Sequence, residues 1–557
     1  MIEHFKKISK KEWLFVFFVS FIIIFFTTLP LGYGVIVGPE NKDFTGIHFA
    51  VPNDWFVYYS YMEQVRQDNF LFDNLYTHEE SLASLNIFWL LVGLFAKFFN
   101  LSNILAFNLV RIFLISILLI VAYFFISYLF EDRKKRKISL ILLSFSSGLG
   151  FFLLGRIIKY PHNFENGQFN YPMDIWVPES NTFLTLLYSP HFILALILIL
   201  LIFLFTLFFS ENNRFYYSFL AGICAFFLFL FHPFHVLTIF LVIFLYLAAL
   251  LFFEKKFIWP FFWHYAILCI FSLPPILYYL YLMKADWVMG VKAMQNNCFT
   301  TPFWITLFSY GLLLFFSFLG FYFLIKKKYF NHVEKRKKFT FILIWALSQF
   351  LIIYFPVNFQ RRMSAGLHFP LVILTTIGLF GIYYIIKDKK NKLTVIAYNQ
   401  RYLLLFILLV FFMASNIFSI SVDLFIYFNK DENSYAYIDN DVVDAARWLK
   451  LTPFGSIIFN SANSIINIIP AYSGRKVYVG HGVETPFFSI KQQEVDWFFL
   501  KNRSEEIESA FLKKRNINYI FYSNLEKKIG KYNPDNKSYL KKVYSNKKVN
   551  IYLFQPL

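Results

Sequence analysis

Stretches of about 18 or more apolar residues recur along this chain, and each is long enough to cross a bilayer as a helix. Soluble domains are about half apolar and about a quarter charged. Here 58% of the 557 residues are hydrophobic, only 16% are charged, and Phe alone supplies 78. The runs are continuous rather than alternating, so helices rather than barrel strands are the expected spanning element. The predicted class is an α-helical polytopic membrane protein.

The net charge of +19 does not read as a nucleic-acid signal. The Lys and Arg residues sit in short clusters between apolar runs, as cytoplasmic loops require. Cys224, Cys269 and Cys298 have no metal-like spacing and are expected to be buried small hydrophobes. Lys6, Lys7, Lys10 and Lys11 place the N-terminus in the cytoplasm. The apolar run after them is too long for a signal-peptide core and no Ala-x-Ala site follows, so a retained first span is expected.

That first span, about 13–36, delivers the loop 37–80 to the outer side. Within the loop, Asp54 to Gln67 reads as an interfacial helix, with Trp55, Tyr58, Tyr59 and Met62 at helical spacing and Glu63, Arg66 and Gln67 on the polar side. Residues 81–99 are apolar but interrupted by Asn86 and Lys97. If they cross, every later basic cluster falls outside; if they are re-entrant or interfacial, all fall inside, and the second arrangement is the expected one. The remaining spans are about 104–130, 138–156, 189–210, 216–231, 236–253, 259–283, 303–325, 339–356, 365–386 and 402–421, making about 11 transmembrane helices in residues 1–430. The outer face then collects the loops 37–80 and 157–188 (with Tyr160-Pro161-His162), the turn His232-Pro233-Phe234-His235, and Arg361-Arg362. Residues 431–557 change composition and read as a soluble extracytoplasmic α/β domain. Its expected helices are Asp439–Lys450, Ser461–Ile469 and Lys491–Leu512, and its strands Ser456–Phe459, Lys476–Gly480, Asn518–Tyr522 and Val549–Phe554.

Asp54 is the leading catalytic candidate, as a general base at the membrane surface; a helix cap is the competing role, and one residue can serve both. Arg361 and Arg362 suit a phosphate, because guanidinium forks grip it bidentately, although arginines at a membrane edge also snorkel. Glu79, Glu80, Asp174 and Glu179 are weaker candidates for touching substrate, as are His191, His232 and His235. No metal-ligand spacing, Walker A sequence or Gly-x-Ser-x-Gly occurs.

Several of these stretches resemble, in order, those of the GT-C superfamily of polytopic membrane glycosyltransferases, of an uncharacterised bacterial type. They are Asp54-Trp-Phe-Val-Tyr-Tyr in the first outer loop, Ser189-Pro190-His191-Phe192, His232-Pro233, and Gln360-Arg361-Arg362-Met-Ser-Ala-Gly366. In the tail, Pro470-Ala-Tyr-Ser-Gly474-Arg475 and Gly480-His481 fit the same pattern. The resemblance implies a transfer of a hexosyl or pentosyl group from a polyprenyl-phosphate-linked sugar. The acceptor would be a glycan, lipid or protein on the outer face of a bacterial inner membrane. Asn53 stands where many such enzymes carry a second acid, and no Asp-x-Asp occurs in the second outer loop. An inverting, metal-independent transfer without a cofactor fits that pattern better, with a divalent metal left open. The alternatives are a transporter or flippase of lipid-linked glycans and a non-catalytic membrane assembly protein.

Overall fold

The computed structural model describes residues 2–50, 52–159, 170–255, 258–327, 329–388, 391–430, 435–462 and 467–557. Tyr160-Pro161-His162 lies outside the described residues. The chain forms two compact units. Unit 1 comprises residues 1–29, 109–278 and 297–422; unit 2 comprises 30–108, 279–296 and 423–557. The 431–557 segment, read from composition as a domain of its own, thus shares unit 2 with 30–108 and 279–296.

Among the described residues, nine segments are long and apolar enough to cross a membrane, from Lys10–Val37 to Arg401–Phe428. The two other expected spans are helices Tyr216–Phe231 and Val333–Ile352. The first has 16 residues, about 24 Å at 1.5 Å per residue. The second opens on Glu334, Lys335, Arg336, Lys337 and Lys338, which shortens its apolar part to 339–352. Residues 81–99 contribute only the 12-residue helix Ile87–Phe98, about 18 Å long and too short to span. Of the cysteines expected to be buried, Cys298 is, Cys224 is partly so, and Cys269 is exposed on candidate span Trp259–Ala285.

Unit 1 is built around Pro190–Asn212, most of whose side chains are buried. Aromatic rings close the gaps there: Phe203 packs edge-on to Trp345 at 4.6 Å, and Phe125 and Trp345 both face Phe369. In lipid such packing rests on dispersion and shape more than on escape from water. Glu12, at the start of Lys10–Val37, is held by Arg136 at 3.2 Å and by the Tyr123 hydroxyl at 2.9 Å.

The expected span 138–156 is not one helix. Helix Arg133–Phe145 stops, the chain is extended at Ser146, and a 3-10 turn Gly150–Leu153 leads into helix Leu154–Lys159. Backbone N–H groups freed by the break are not left bare: Ser147 donates to the Phe412 carbonyl at 2.6 Å and Leu149 to that of Phe308 at 2.8 Å. Irregular backbone is tolerated at such a place only because protein groups satisfy it. Gly148 permits the approach, since a Cβ there would lie 2.0 Å from the Ser309 carbonyl oxygen. Opposite it, Gly311 adopts φ +40° inside Phe303–Lys326, a conformation that only glycine takes without strain.

In unit 2, β1 (Lys42–Phe44) pairs antiparallel with β2 (Tyr437–Asp439). A mixed five-stranded sheet has the order β4-β3-β5-β7-β6, from β3 (Ile457–Phe459), β4 (Lys476–Val477), β5 (Tyr519–Tyr522), β6 (Leu540–Ser545) and β7 (Asn550–Phe554). Phe459, Tyr478, Phe498, Phe499 and Tyr532 form its core. The expected helix 491–512 divides into Phe488–Leu500 and Glu505–Lys514. Residues 463–466 of the expected helix Ser461–Ile469 lie outside the described residues; Pro470 sits in the first turn of Ile469–Ser473, where its missing N–H costs nothing. The edge strand β4 is covered by the first loop: Val477 N–H donates to Leu75 O at 2.9 Å, and Thr77 bridges antiparallel to Val479. A free edge invites pairing with another chain, and here residues 75–77 occupy it.

Candidate active site

The helix that carries Asp54 runs from Pro52 to Arg66. Pro at its first position is pre-set for a helix, and Asp54 is third, inside the first turn rather than at the cap. A carboxylate there complements the positive end of the helix dipole. The helix is more enclosed than an interfacial one. Trp55, Tyr59 and Met62, expected on the apolar side of an interfacial helix, are buried in the protein, and so are Glu63, expected on the polar side, and Gln64. Trp55 packs on Phe107 at 4.4 Å, and Tyr58 stacks on Trp89 at 4.6 Å. Behind it, His48 Nδ1 and Asp423 Oδ2 lie 2.5 Å apart, both fully buried, and Asp423 also accepts the Phe49 N–H.

Asp54 keeps 37% of its side chain exposed, and its Oδ1 lies 3.2 Å from Nε2 of buried His481. The ring's other nitrogen fixes the tautomer. Nδ1 accepts two backbone N–H groups, from Val483 and Glu484, each at 3.1 Å. The neutral ring therefore carries its hydrogen on Nε2 and donates it to Asp54. Residues 480–485 hold His481 in place. The Thr485 hydroxyl accepts from Gly480 N and His481 N and donates to the Tyr76 carbonyl at 2.5 Å. Gly480 is needed there, because a Cβ would meet the Tyr76 ring at 2.8 Å. Beside this loop, Lys292 pairs with Glu484 at 2.5 Å.

Glu79 has a different environment. Its carboxylate takes Lys491 Nζ at 2.6 Å and the Thr77 hydroxyl, with His78 Nδ1 at 3.4 Å. Burial alone would raise the Glu79 pKa; hydrogen bonds from Lys491 and Thr77 reverse that and lower it. Burial drives His78 down to about 4. Glu79 therefore anchors the loop to the sheet region, while Glu80 is exposed.

In unit 1, the turn Gln360–Ser364 carries both arginines. The Arg361 guanidinium lies over Trp176 and that of Arg362 over Phe234, each 4.4 Å from the ring centre, so the two stack on different platforms. Arg361 N–H donates to Cys298 O at 2.9 Å, and Arg362 Nε–H points to Cys298 Sγ at 3.5 Å. The three expected histidines gather in the same unit. His232 Nδ1 and His235 Nε2 are 2.8 Å apart, so one donates and the other accepts; the His191 and His232 rings are 5.7 Å apart, and Ser189 Oγ meets His191 Nδ1 at 2.7 Å. Asp174 is wholly buried, takes the Gly150 N–H at 3.1 Å, and is pushed up to about 7 by burial. Glu179 is buried as well. Among the described residues, no group of three or more His, Cys, Asp or Glu is arranged to hold a metal ion.

No family model matches the chain, and no curated protein matches it. Solved structures do. The Archaeoglobus fulgidus oligosaccharyltransferase tethered to an acceptor peptide containing the NVT sequon aligns with a TM-score of 0.51 at 13% identity, over 92% of this chain and 69% of that one. The archaeal oligosaccharyltransferase AglB from Archaeoglobus fulgidus, in complex with an inhibitory peptide and a dolichol-phosphate, aligns with a TM-score of 0.51 at 14% identity, over 92% and 70%. The mycobacterial arabinofuranosyltransferase AftD aligns with a TM-score of 0.49 at 11% identity, over 99% of this chain and 42% of that one. The fold is that of the Archaeoglobus fulgidus oligosaccharyltransferase. Sequence reasoning singled out Asp54 and, separately, Gly480-His481 in the tail, but nothing in it set His481 beside Asp54.

Proposed function

We propose that the chain is a membrane glycosyltransferase that moves a hexosyl or pentosyl group from a polyprenyl-phosphate-linked donor to a hydroxyl or amide acceptor. The observation that carries this reading is the Asp54–His481 pair: a part-exposed carboxylate, at the start of a helix, whose orientation is fixed by an imidazole of defined tautomer. On this reading the acceptor oxygen or nitrogen attacks the anomeric carbon, the bond to the phosphate oxygen breaks, and the phosphate leaves with the electron pair. Asp54 takes the acceptor's proton, and the configuration inverts. Arg361 or Arg362 holds the lipid phosphate, whose negative charge grows as the bond breaks. In the proposed proton transfer Asp54 takes the proton directly, and the His481 Nε2–H holds its carboxylate in place.

The positive-inside bias supports a cytoplasmic N-terminus and an outward-facing Asp54; a bacterial inner membrane is part of the same proposal. Labelling of cysteines introduced at residues 7 and 135 tests this: reaction of residue 7 with an impermeant reagent from outside overturns the orientation, and reaction of residue 135 alone shows that 81–99 crosses. For the chemistry, full-length protein in liposomes is supplied with a panel of polyprenyl-phosphate sugars and scored for sugar transfer and donor consumption. Transfer that Asp54→Asn abolishes supports the proposal; undiminished transfer by that variant removes Asp54 from the mechanism. One observation favours a flippase instead, the break at 146–150 beside buried Asp174, since broken helices line many transport paths. Donor translocation without any transfer, in the same liposomes, would decide for it.

A further inference from the structure

Unit 2 holds a second concave site, a pocket of about 400 Å³. That volume is in the range of small-molecule sites. Glu63, Arg66, Asn103, Arg447, Lys450 and Tyr472 are among its lining residues. Two of its cations are already neutralised: Lys450 pairs with Glu63 at 2.7 Å, and Arg447 with Asp43 at 3.2 Å. The third is not. Arg66 donates its Nε–H to the Asn103 side-chain oxygen at 3.0 Å, and among the described residues no carboxylate lies within 4 Å of it. The lining thus has three basic groups against two acids, with the surplus at Arg66. Around that surplus, carboxylate and amide oxygens accept hydrogen bonds while ammonium, guanidinium and amide groups donate them. Such a mixture matches hydroxyl groups, each of which needs both a donor and an acceptor.

We propose that this pocket binds an acidic carbohydrate, whose carboxylate or phosphate pairs with Arg66 and whose hydroxyls meet the Glu63, Lys450 and Asn103 side chains. Arg66 lies on the same helix as Asp54, 12 residues on, about 18 Å along its axis. The site would therefore grip an acceptor chain well away from its reacting end. That role rests on the transferase reading; the binding itself does not.

The test uses the full chain in detergent with the Asp54→Asn background, so that no turnover occurs. Trigalacturonic acid, uncharged maltotriose and inorganic phosphate are titrated separately by calorimetry. Trigalacturonic acid is expected to saturate, maltotriose to bind far more weakly, and Arg66→Gln to weaken the acid about 10- to 100-fold, the scale of a lost charge-assisted hydrogen bond. Tm should hold, and Arg66→Lys should restore part of the affinity. Saturable phosphate binding that depends on Arg66, with weak uronate binding, assigns the anion to a phosphate-bearing sugar instead. Equal affinity for charged and uncharged trisaccharides, indifference to Arg66→Gln, or no saturable binding of any probe overturns the proposal. If Arg66→Gln does not fold, Arg447→Gln on the pocket's exposed rim carries the same test with a smaller loss. Absent binding alongside Asp54-dependent transfer in the wild type removes the pocket and leaves the transferase reading intact.

Discussion

Asp54, in unit 2, keeps a third of its side chain in contact with solvent and accepts an N–H from a histidine. Asp174, in unit 1, is sealed from solvent and accepts one from the backbone of Gly150. Both sequences place an acid next to aromatic residues, so sequence alone ranks them by position in a loop. The structure separates them by solvation. Burial favours the neutral carboxyl and lifts Asp174 to about 7, whereas Asp54 combines access with a fixed donor. The comparison teaches that an acid suited to proton abstraction is one that the fold orients without desolvating.

The sharpest way to break that comparison is to exchange the acids for amides. Asp54→Asn keeps the size and the favourable place in a first helical turn but loses the base. Transfer is expected to fall about 10²- to 10⁴-fold, with Tm unchanged. Asp174→Asn should leave transfer nearly intact. A reversed ranking in the liposome assay would mean that the buried acid does the chemistry. His481→Gln retains an N–H and is expected to cost less than His481→Ala. The telling readout is the pH–rate profile, whose acidic limb should move in the alanine variant because Asp54 loses the donor that favours its charged form.

Asp174 also gives unit 1 a pH dependence of its own. Its folded pKa of about 7 lies above the ordinary carboxylate value of 3.8. The stability it contributes is fully present below pH 3.8 and is lost as pH rises through 7, by roughly 2–4 kcal/mol between these limits. Asp174→Asn mimics the neutral carboxyl and should remove that loss, so its advantage over the wild type should grow from pH 5 to pH 8. Parallel melting curves for the two proteins check this.

Much of the fold was legible because a bilayer leaves few choices. Most continuous apolar runs became helices, and among the described residues nine segments have the length to cross. What escaped was set by tertiary contacts. The break after Phe145 is invisible in an apolar run, because its cause is a carbonyl of Phe412 and another of Phe308, far along the chain. The split of 491–512 and the pairing of Leu75–Thr77 with the edge of β4 depend likewise on distant partners. The site shows the same division. Asp54 stood out as an acid in an aromatic stretch, and Arg361, Arg362 and the three histidines as charges between spans. His481 is 427 residues from Asp54, and no local pattern links them.

Unit 2 is expected to respond to pH in the opposite sense. Burial lowers His78 to about 4, below its ordinary 6.5. The unfolded chain therefore takes up the proton first, and stability falls as pH drops from 6.5 towards 4. Glu79, whose pKa is lowered through Lys491 and Thr77, adds stability present above its ordinary 4.5 and lost as pH falls through its folded value. Together they should cost about 1–3 kcal/mol by pH 4. His78→Gln should flatten the curve between pH 6.5 and about 4 and leave the loss below pH 4.5, which belongs to Glu79. Hydrogen exchange at Val477 and Val479, the partners of the covering loop, would show whether the loop lets go of β4 as this happens.

The smallest expected effect concerns the arginines, and it sharpens the picture of unit 1. Arg361 and Arg362 are neighbours, yet one guanidinium stacks on Trp176 and the other on Phe234. Only one of them is then expected to meet the donor phosphate. Lysine keeps the charge but gives up the planar fork and the stacking. Replacing the phosphate-binding arginine by lysine should weaken donor binding about tenfold, or about 1.4 kcal/mol. The same change at the other position should lower Tm slightly and leave donor affinity alone. Arg362 is the better candidate, because it shares the Phe234 platform with the turn that holds the His232–His235 pair, which has one further N–H to donate to a phosphate. Donor affinity measured on both single variants and the double variant decides the matter. A double loss equal to the Arg362→Lys loss assigns the phosphate to Arg362, a loss equal to that of Arg361→Lys assigns it to Arg361, and two null results detach this turn from the donor altogether.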